Sequence, residues 1–439
     1  MDNSVEQLLD TTGLLYESNP DQSDLNPSIE DQPIFNEPMP SDSNMWGSFQ
    51  IMINTAIGSG TLMVPYCYNI GVGLSLFISL FFATVGYFSL SFMAESGYFC
   101  HKYDYRGLFA FTFGKDKLWI VNSMIAMVQF GASMIYCHWN GRLVPKLLGT
   151  TGDGTLFSKG GFWIMSFAFV FIIPLVCLKS IKQLENLALL SSFCILLLIA
   201  HAGYWFIIHV SRHGFDPEHK IVWFKLSDIV VTSFSVNSMA YNCHLNYFPT
   251  LEHLQQATVG RGRKLAFYTT SSAFVLYNIF GLFTYLDLFD ILKPGSPLEF
   301  YTEKSIFTNI TIIGLIFILI LSVPIVVWAA RKSINSMFFN DTEPTTLRWV
   351  TIGSIIVILA AALASSSDNV ILFFHVVGGM FTPVIIFFMP SLFYIKNQRG
   401  EPKWRIAVAY FIAFFTIVAA SLCTYHAVVE VIHTIKGKK

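Results

Sequence analysis

Asn54-Thr55-Ala56-Ile57-Gly58-Ser59-Gly60, with Pro65 just beyond, interrupts an apolar stretch that runs from about Trp46 to Ile70. Glycine leaves the backbone conformationally free and proline removes an amide donor, so a helix through this stretch should unwind near its middle. In hydrocarbon no water pairs the freed amides and carbonyls, and irregular backbone survives only against protein or a water-lined cavity. The interruption is therefore where a solute or ion is expected to bind.

Composition places the stretch in a membrane. The chain has 439 residues, of which 54% are hydrophobic and 13% charged, with mean hydropathy +0.55; soluble domains carry about 25% charged residues. Crossing a bilayer takes roughly 20 apolar residues. Eleven such spans occur, near 46–70, 72–98, 117–141, 161–178, 186–210, 227–250, 264–288, 306–338, 347–365, 369–395 and 404–432. The chain reads as an all-α polytopic membrane protein with the lipid bilayer as its main solvent.

Residues 1–45 are different: they hold ten Asp and Glu and no Lys or Arg, leaving 18 acids against 27 bases in the rest. This acidic segment, rich in Ser, Pro, Asn and Gln, is expected to be a disordered cytoplasmic tail that could offer a surface to a cytoplasmic partner. It has neither the basic region nor the apolar run of a signal peptide. Asp10-Thr11-Thr12-Gly13-Leu14-Leu15 fits an acidic dileucine pattern, which leaves the plasma membrane and an endolysosomal or vacuolar membrane both open. With the amino terminus cytoplasmic, 16 basic residues fall on that side and 11 on the other, the sense of the positive-inside bias. The glycosylation sequon Asn309-Ile310-Thr311 lies against the start of a span.

The sixth span carries a second disruption. Ser233, Ser235, Asn237, Ser238, Asn242, Cys243, His244 and Asn246 crowd one segment that then reaches Pro249. Such polarity is costly in hydrocarbon unless it lines a cavity or bonds internally. Interrupted helices at matching positions of two halves point to an inverted-repeat transporter with its site at the midplane. The division that follows is a membrane domain over 46–434, with a first repeat over 46–210, a second over 227–395 and an extra helix over 404–432. Where a helix breaks, one fragment offers unpaired N–H groups and the other unpaired C=O groups, with opposite partial charges. An amino acid zwitterion matches both. Its carboxylate would meet the backbone of Thr55, Ala56, Ile57, Gly58, Ser59 and Gly60, and its ammonium the carbonyls from Val236 through Asn237 to Ala240.

Four segments carry a family resemblance: NTAIGSG over 54–60; Cys243-His244 with Pro249 and Glu252 in YNCHLNYFPTLEHL; LSVPIVVWAARKS over 321–333; and DNVILFFHVVGG with MPSLFYIK over 368–396. They resemble the amino acid/auxin permease family, and within it the sodium-coupled neutral amino acid transporters. The resemblance implies a LeuT-type fold of eleven helices, five plus five in inverted repeat with one more, and secondary transport of amino acids, neutral ones favoured. It also implies a sodium site at Asn54 and Ser322, two neutral oxygen ligands suited to a monovalent cation; protons are the alternative coupling ion. The outer loops lack the cysteine pair of the sodium-coupled subgroup, so that subgroup's disulfide is not available.

Plainer readings stand beside these. Gly58-Ser59-Gly60 could be a packing surface, Asn54 could bond a facing backbone, and Ser322 could bond back to its own helix near Pro324. His138, His201, His244, His375 and His426 are intramembrane, where a lone histidine is usually a packing residue and in a few cases a proton carrier. Glu95 is expected to snorkel or to form a gating pair, Arg331 and Lys332 to mark the inner end of the eighth span, and Tyr136 and Tyr241 could line a pocket. The seven cysteines read as buried packing residues, with no CxxC pair or His/Cys cluster for a metal. There is no phosphate loop, no cofactor motif, no cluster of acids or nucleophiles for an enzyme, and nothing suited to nucleic acid. A sensor that binds an amino acid at the same site and reports through the tail is the rival to a transporter.

Overall fold

The computed structural model describes residues 34, 43–58, 60–178, 187–214, 221–301, 305–397 and 402–436. Ser59, the dileucine segment and most of the tail therefore lie outside the described residues. Nine helices are long and apolar enough to cross a membrane among those described: Val72–Cys100, Lys115–Leu148, Gly160–Cys177, Ser192–Arg212, Val259–Leu288, Ile306–Phe339, Thr346–Ser366, Val370–Asn397 and Lys403–Ile432. They are spans 2, 3, 4, 5, 7, 8, 9, 10 and 11. Spans 1 and 6 complete the set as pairs of shorter pieces. Span 1 is Met45–Ala56 followed by turns over Thr61–Met63, Val64–Cys67 and Tyr68–Ile70, and span 6 is Ile229–Ala240 followed by His244–Asn246 and Tyr247–His253.

Each span of the first five except the fifth packs on its counterpart in the second five: 1 on 6, 2 on 7, 3 on 8 and 4 on 9. That pattern is what two interlocked repeats produce. The close approach of span 10 to span 6 rests on glycine, because a Cβ on Gly378 would stand 2.3 Å from the Ser235 carbonyl oxygen. Span 10 is locally widened over His375–Phe381 and Val384–Phe388. Pro390 can give no amide to the turn behind it. The carbonyls left over find side chains of other elements: Tyr105 donates to the Ile385 oxygen at 2.5 Å, and Ser89 to that of Ile386.

At the N-terminal face the tail begins to be anchored before span 1. The Ser43 amide donates to His253 O at 3.0 Å, Gln255 N donates to Ser43 O at 2.9 Å, and the fully buried Ile34 donates its amide to Ala257 O at 2.7 Å. The acidic segment is thus tied at two points to the end of span 6 and the turn into span 7. At the far face, the loop before span 6 closes on the corner between spans 1 and 2 through Val72 N to Val222 O at 2.8 Å and Lys225 N to Ile70 O at 2.7 Å. Arg142 at the end of span 3 meets Glu299 of the loop between spans 7 and 8 at 2.9 Å. Burial pushes the Glu299 carboxyl up, and Arg142 works against that shift.

Glu95 does not snorkel. Its side chain is fully buried and its Oε1 takes Arg263 of span 7 at 2.9 Å together with Arg405 of span 11. Three helices are thereby pinned at one carboxylate. Arg331 is also buried rather than exposed at a boundary: it lies 3.8 Å over the Trp349 ring and donates to Val176 O at 2.9 Å, in space left by Gly353. Removing one member of a buried charge group costs about 3–5 kcal/mol, because the partners stay behind uncompensated. Glu95→Gln should therefore lower the melting temperature of the detergent-purified protein sharply. An unchanged melting temperature would show that the two arginines find other anions.

Candidate functional site

The helix of span 1 ends at Ala56. Ile57 is its C-terminal cap with ψ 78°, outside the helical region, and its amide reaches back to Ile53 O. Gly58 N then turns in on Ala56 O at 2.8 Å, and Thr61 N restarts the chain on Gly58 O at 3.2 Å. The unwinding expected from Gly58, Ser59 and Gly60 is present at that position. The two glycines serve different neighbours. A Cβ on Gly58 would stand 3.0 Å from the Tyr136 hydroxyl of span 3, whereas one on Gly60 would stand 2.6 Å from the backbone nitrogen of Ala240. Gly60 is the contact point of the two broken spans.

Span 6 breaks at the same level. Its helix ends at Ala240, and Tyr241 N closes on Asn237 O at 3.0 Å while Cys243 N closes on Tyr241 O at 3.1 Å. The carbonyl of Ala240 is left to another partner. Tyr277 of span 7 places its hydroxyl 2.7 Å from Ala240 O and 2.8 Å from Ala56 O. A phenol has one hydrogen to donate, so the two carbonyls share it. The C-terminal ends of both half-helices, each with partial negative charge, thus converge on one buried O–H.

A polar chain runs on from there. Tyr68 of span 1 donates to Asn278 Oδ1 at 2.7 Å, Asn278 Nδ2 donates to Ser79 Oγ of span 2 at 2.9 Å, and Ser79 lies 3.3 Å from the Tyr241 hydroxyl. The Tyr241 ring stands edge-on to Tyr277, with centroids 5.4 Å apart. Spans 1, 2, 6 and 7 are therefore bonded to one another through side chains at the level of the breaks. Tyr241 belongs to this chain rather than to a pocket wall.

The other expected site residues divide. Ala56, Gly60 and Ala240 are brought together; Val236 is buried inside the regular helix, and Asn237 donates its amide back to Ser233 O at 2.8 Å. Thr55 accepts from Asn246 across the two breaks at 3.1 Å. Asn54 turns to span 5, where Ser192 donates to its Oδ1 at 2.6 Å. Ser322 donates to Ile318 O of its own helix at 2.9 Å. Ser192 thus places a further neutral oxygen beside Asn54.

The histidines take several roles. His201 Nε2, the Trp205 indole nitrogen and the Thr308 hydroxyl form a cluster, with the indole 3.1 Å from His201 Nε2 and 3.2 Å from Thr308 Oγ1. His138 packs edge-on to Phe373. His244 is fully buried at the break of span 6. Tyr277, Asn278 and Ser192 were not singled out from the sequence; a Tyr-Asn pair inside the apolar run AFVLYNIFGLF is the one signal that could have marked the first two.

Tyr277→Phe keeps the ring and deletes the shared hydrogen. Ala56 O keeps the Gly58 amide, but Ala240 O loses this donor; a buried carbonyl left without one costs about 1–3 kcal/mol, so the variant should melt lower than the parent. Gly60→Leu should be worse still, since the new side chain must displace Ala240 backbone; recovery of monodisperse Gly60→Leu protein at the parent's yield would contradict the close contact.

A family model described as transmembrane amino acid transporter protein matches residues 41–432. The chain is 19% identical over 404 residues to solute carrier family 38 member 10 of Mus musculus, covering 88% of this chain and 36% of that protein, so it spans about a third of that relative's length. It is 22% identical over 400 residues to sodium-coupled neutral amino acid symporter 2 of Danio rerio, with 84% and 79% covered. Against vacuolar amino acid transporter 7 of Saccharomyces cerevisiae it is 25% identical over 308 residues, with 68% and 60% covered. Among solved structures it is similar to MhsT in complex with L-phenylalanine, with TM-score 0.62 and 16% identity over 89% of this chain and 100% of that one. The inward facing conformation of Mhp1 is similar at TM-score 0.59 and 11% identity over 93% and 94%. These structures share the LeuT-type fold, and the named relatives are carriers and transporters rather than enzymes. With both helix breaks inside the matched region, this multi-pass membrane protein belongs to the transmembrane amino acid transporter family.

Proposed function

We propose that the chain is a secondary transporter of amino acids, with neutral amino acids as its first substrates, working by alternating access. The observation that carries the reading is the convergence of two broken helices on the Tyr277 hydroxyl, with Gly60 seated on Ala240. Carbonyl ends of this kind suit the ammonium of a zwitterion, and the amide ends that begin the next piece of each broken span suit its carboxylate, with no buried formal charge. The family match and the printed name of the Danio rerio relative support the substrate class.

The division of contacts supports the mechanism. Spans 1, 2, 6 and 7 are joined by the Tyr68, Ser79, Tyr241, Tyr277 and Asn278 side chains. Spans 3, 4, 8 and 9 pack on one another as a separate group. A bundle held together by internal hydrogen bonds can rock against that scaffold as a unit, exposing the breaks to each face in turn. Arg142 of span 3 with Glu299 of the loop after span 7 is a contact that such rocking would open.

Sodium is the proposed coupling ion, carried as a second substrate by Asn54 Oδ1 and Ser322 Oγ, with Ser192 Oγ beside Asn54. Neutral oxygens of this kind suit a monovalent cation, whereas a divalent ion would call for carboxylates. Reconstituted in proteoliposomes, the protein should accumulate neutral amino acids when a sodium gradient is imposed and lose most of that uptake when sodium is replaced. Absence of uptake for every amino acid under imposed sodium and proton gradients would refute the transporter reading. Asn54→Ala should abolish the sodium dependence, and a variant with the parent's sodium activation curve would remove Asn54 from the ion site.

A further inference from the structure

The loop into span 6 carries an apolar surface that transport as outlined above does not use. Residues 221–226 read Ile221-Val222-Trp223-Phe224-Lys225-Leu226, and all six are exposed, Trp223 at 61%, Phe224 at 70% and Leu226 at 87%. The run is nevertheless held in place. Leu74 N donates to Trp223 O at 3.2 Å, beside the Val72 and Lys225 bonds that tie it to the corner between spans 1 and 2. Two glycines make room for it. A Cβ on Gly71, where φ is +100°, would stand 2.5 Å from the Trp223 carbonyl, and one on Gly73 would stand 3.0 Å from the Phe224 ring. The chain thus fixes the backbone of this segment and leaves its large apolar side chains uncovered, the mark of an interaction surface.

Depth and continuity identify the partner. Span 2 has 29 residues, about 43 Å at 1.5 Å per residue, which is roughly the thickness of a bilayer with its headgroup layers. Its first turn at Val72 therefore lies in the interfacial layer, and the run bonded to Val72 and Leu74 lies there with it. Gly73, Phe77 and Leu80 follow one another at i, i+4 and i+7 on one face of the helix. Phe77 is 64% exposed and Leu80 52%, as lipid-facing residues of a span are, so the Phe224 ring over Gly73 heads a stripe that faces acyl chains. Aromatic rings are favoured at that depth. Lys225, between them, has a chain long enough to lie in the layer while its ammonium reaches the headgroups. We propose that residues 221–226 are an interfacial anchor, in which Trp223, Phe224 and Leu226 insert at the boundary between headgroups and acyl chains in the leaflet at the far face. The anchor is bonded to spans 1 and 2 and leads into span 6. That it travels with the rocking bundle rests on the transporter reading; the insertion itself does not.

Two probes on the full chain in phosphatidylcholine proteoliposomes test the insertion. A nitroxide on Leu226→Cys should be relaxed more by dissolved oxygen than by a water-soluble nickel complex. One on Asp153→Cys, in the exposed loop after span 3 on the same face, should show the reverse. Six of the seven native cysteines are buried, and labelled parent supplies the blank for Cys177. Separately, the tryptophan emission that Trp223→Phe removes should be quenched, in the parent, more by lipids brominated near the headgroup end of the acyl chain than by lipids brominated near its tip. That variant keeps an aromatic ring in place, so it remains informative if the labelled protein does not fold. Preferential nickel access at 226 would place the run in water and overturn the proposal. Exclusion of both reagents, as under a second copy of this chain, would overturn it as well, and so would Trp223 emission that neither lipid quenches. Insertion by both probes in a protein that takes up no amino acid would count against transport and leave the anchor standing.

Discussion

Ala56 and Ala240, both buried, each end a helix partway through a span, and the rest of the structure depends on how their carbonyls are satisfied. The Tyr277 hydroxyl answers both, at 2.8 and 2.7 Å. The arrangement makes two demands on the chain. Spans 1 and 6 must approach until Gly60 touches Ala240 backbone, which only a residue without a side chain permits. Span 7 must also present its ring at a fixed depth, which the Tyr68 to Asn278 to Ser79 bonds secure on the neighbouring turn. Breaking two helices inside a membrane is tolerable because four helices share the consequence.

The same economy recurs elsewhere. Span 10 contains Pro390, and the carbonyls it leaves over are met by Ser89 of span 2 and Tyr105 of the helix that follows it. Charges are treated in the same way. Glu95 is not carried to the interface but surrounded by Arg263 and Arg405, and Arg331 is laid over Trp349. Every such group ties helices that are distant in sequence, so polar atoms inside the membrane region act as joints between rigid elements. Some joints lie within the group of spans 1, 2, 6 and 7, and others, such as His375 with Thr232, reach from that group to spans outside it. Proposed bundle motion would keep the first kind and strain the second.

Much of this architecture was legible beforehand. The apolar runs located eleven spans, and Gly58, Gly60 and Pro65 in one span with Asn237 to Pro249 in another located both breaks, because helix propensity and hydrocarbon solvation are local properties. The break that puts the Ala240 carbonyl at a helix end was legible. What meets it was not, since Tyr277 is one of eighteen tyrosines and lies 37 residues away. Glu95 was misread for a similar reason: a lone acid in an apolar run suggests a side chain reaching for water, and its two arginines come from spans 7 and 11. Asn54 was read as a cation ligand from resemblance, and its neighbour Ser192 sits on a span with no marked polarity.

By itself the sequence determined that this chain lies in a membrane, where its apolar spans fall, where two of them are interrupted and to which family its motifs are similar. Those are consequences of composition and of short-range backbone chemistry, which a single chain displays in order. Tertiary structure alone decided which hydroxyl closes the two breaks, which arginines neutralise Glu95 and which side chains meet the carbonyls of span 10. Each of these is a pairing between helices, set by the depth and rotation at which they pack, and neither quantity is written in the spacing of residues along the chain.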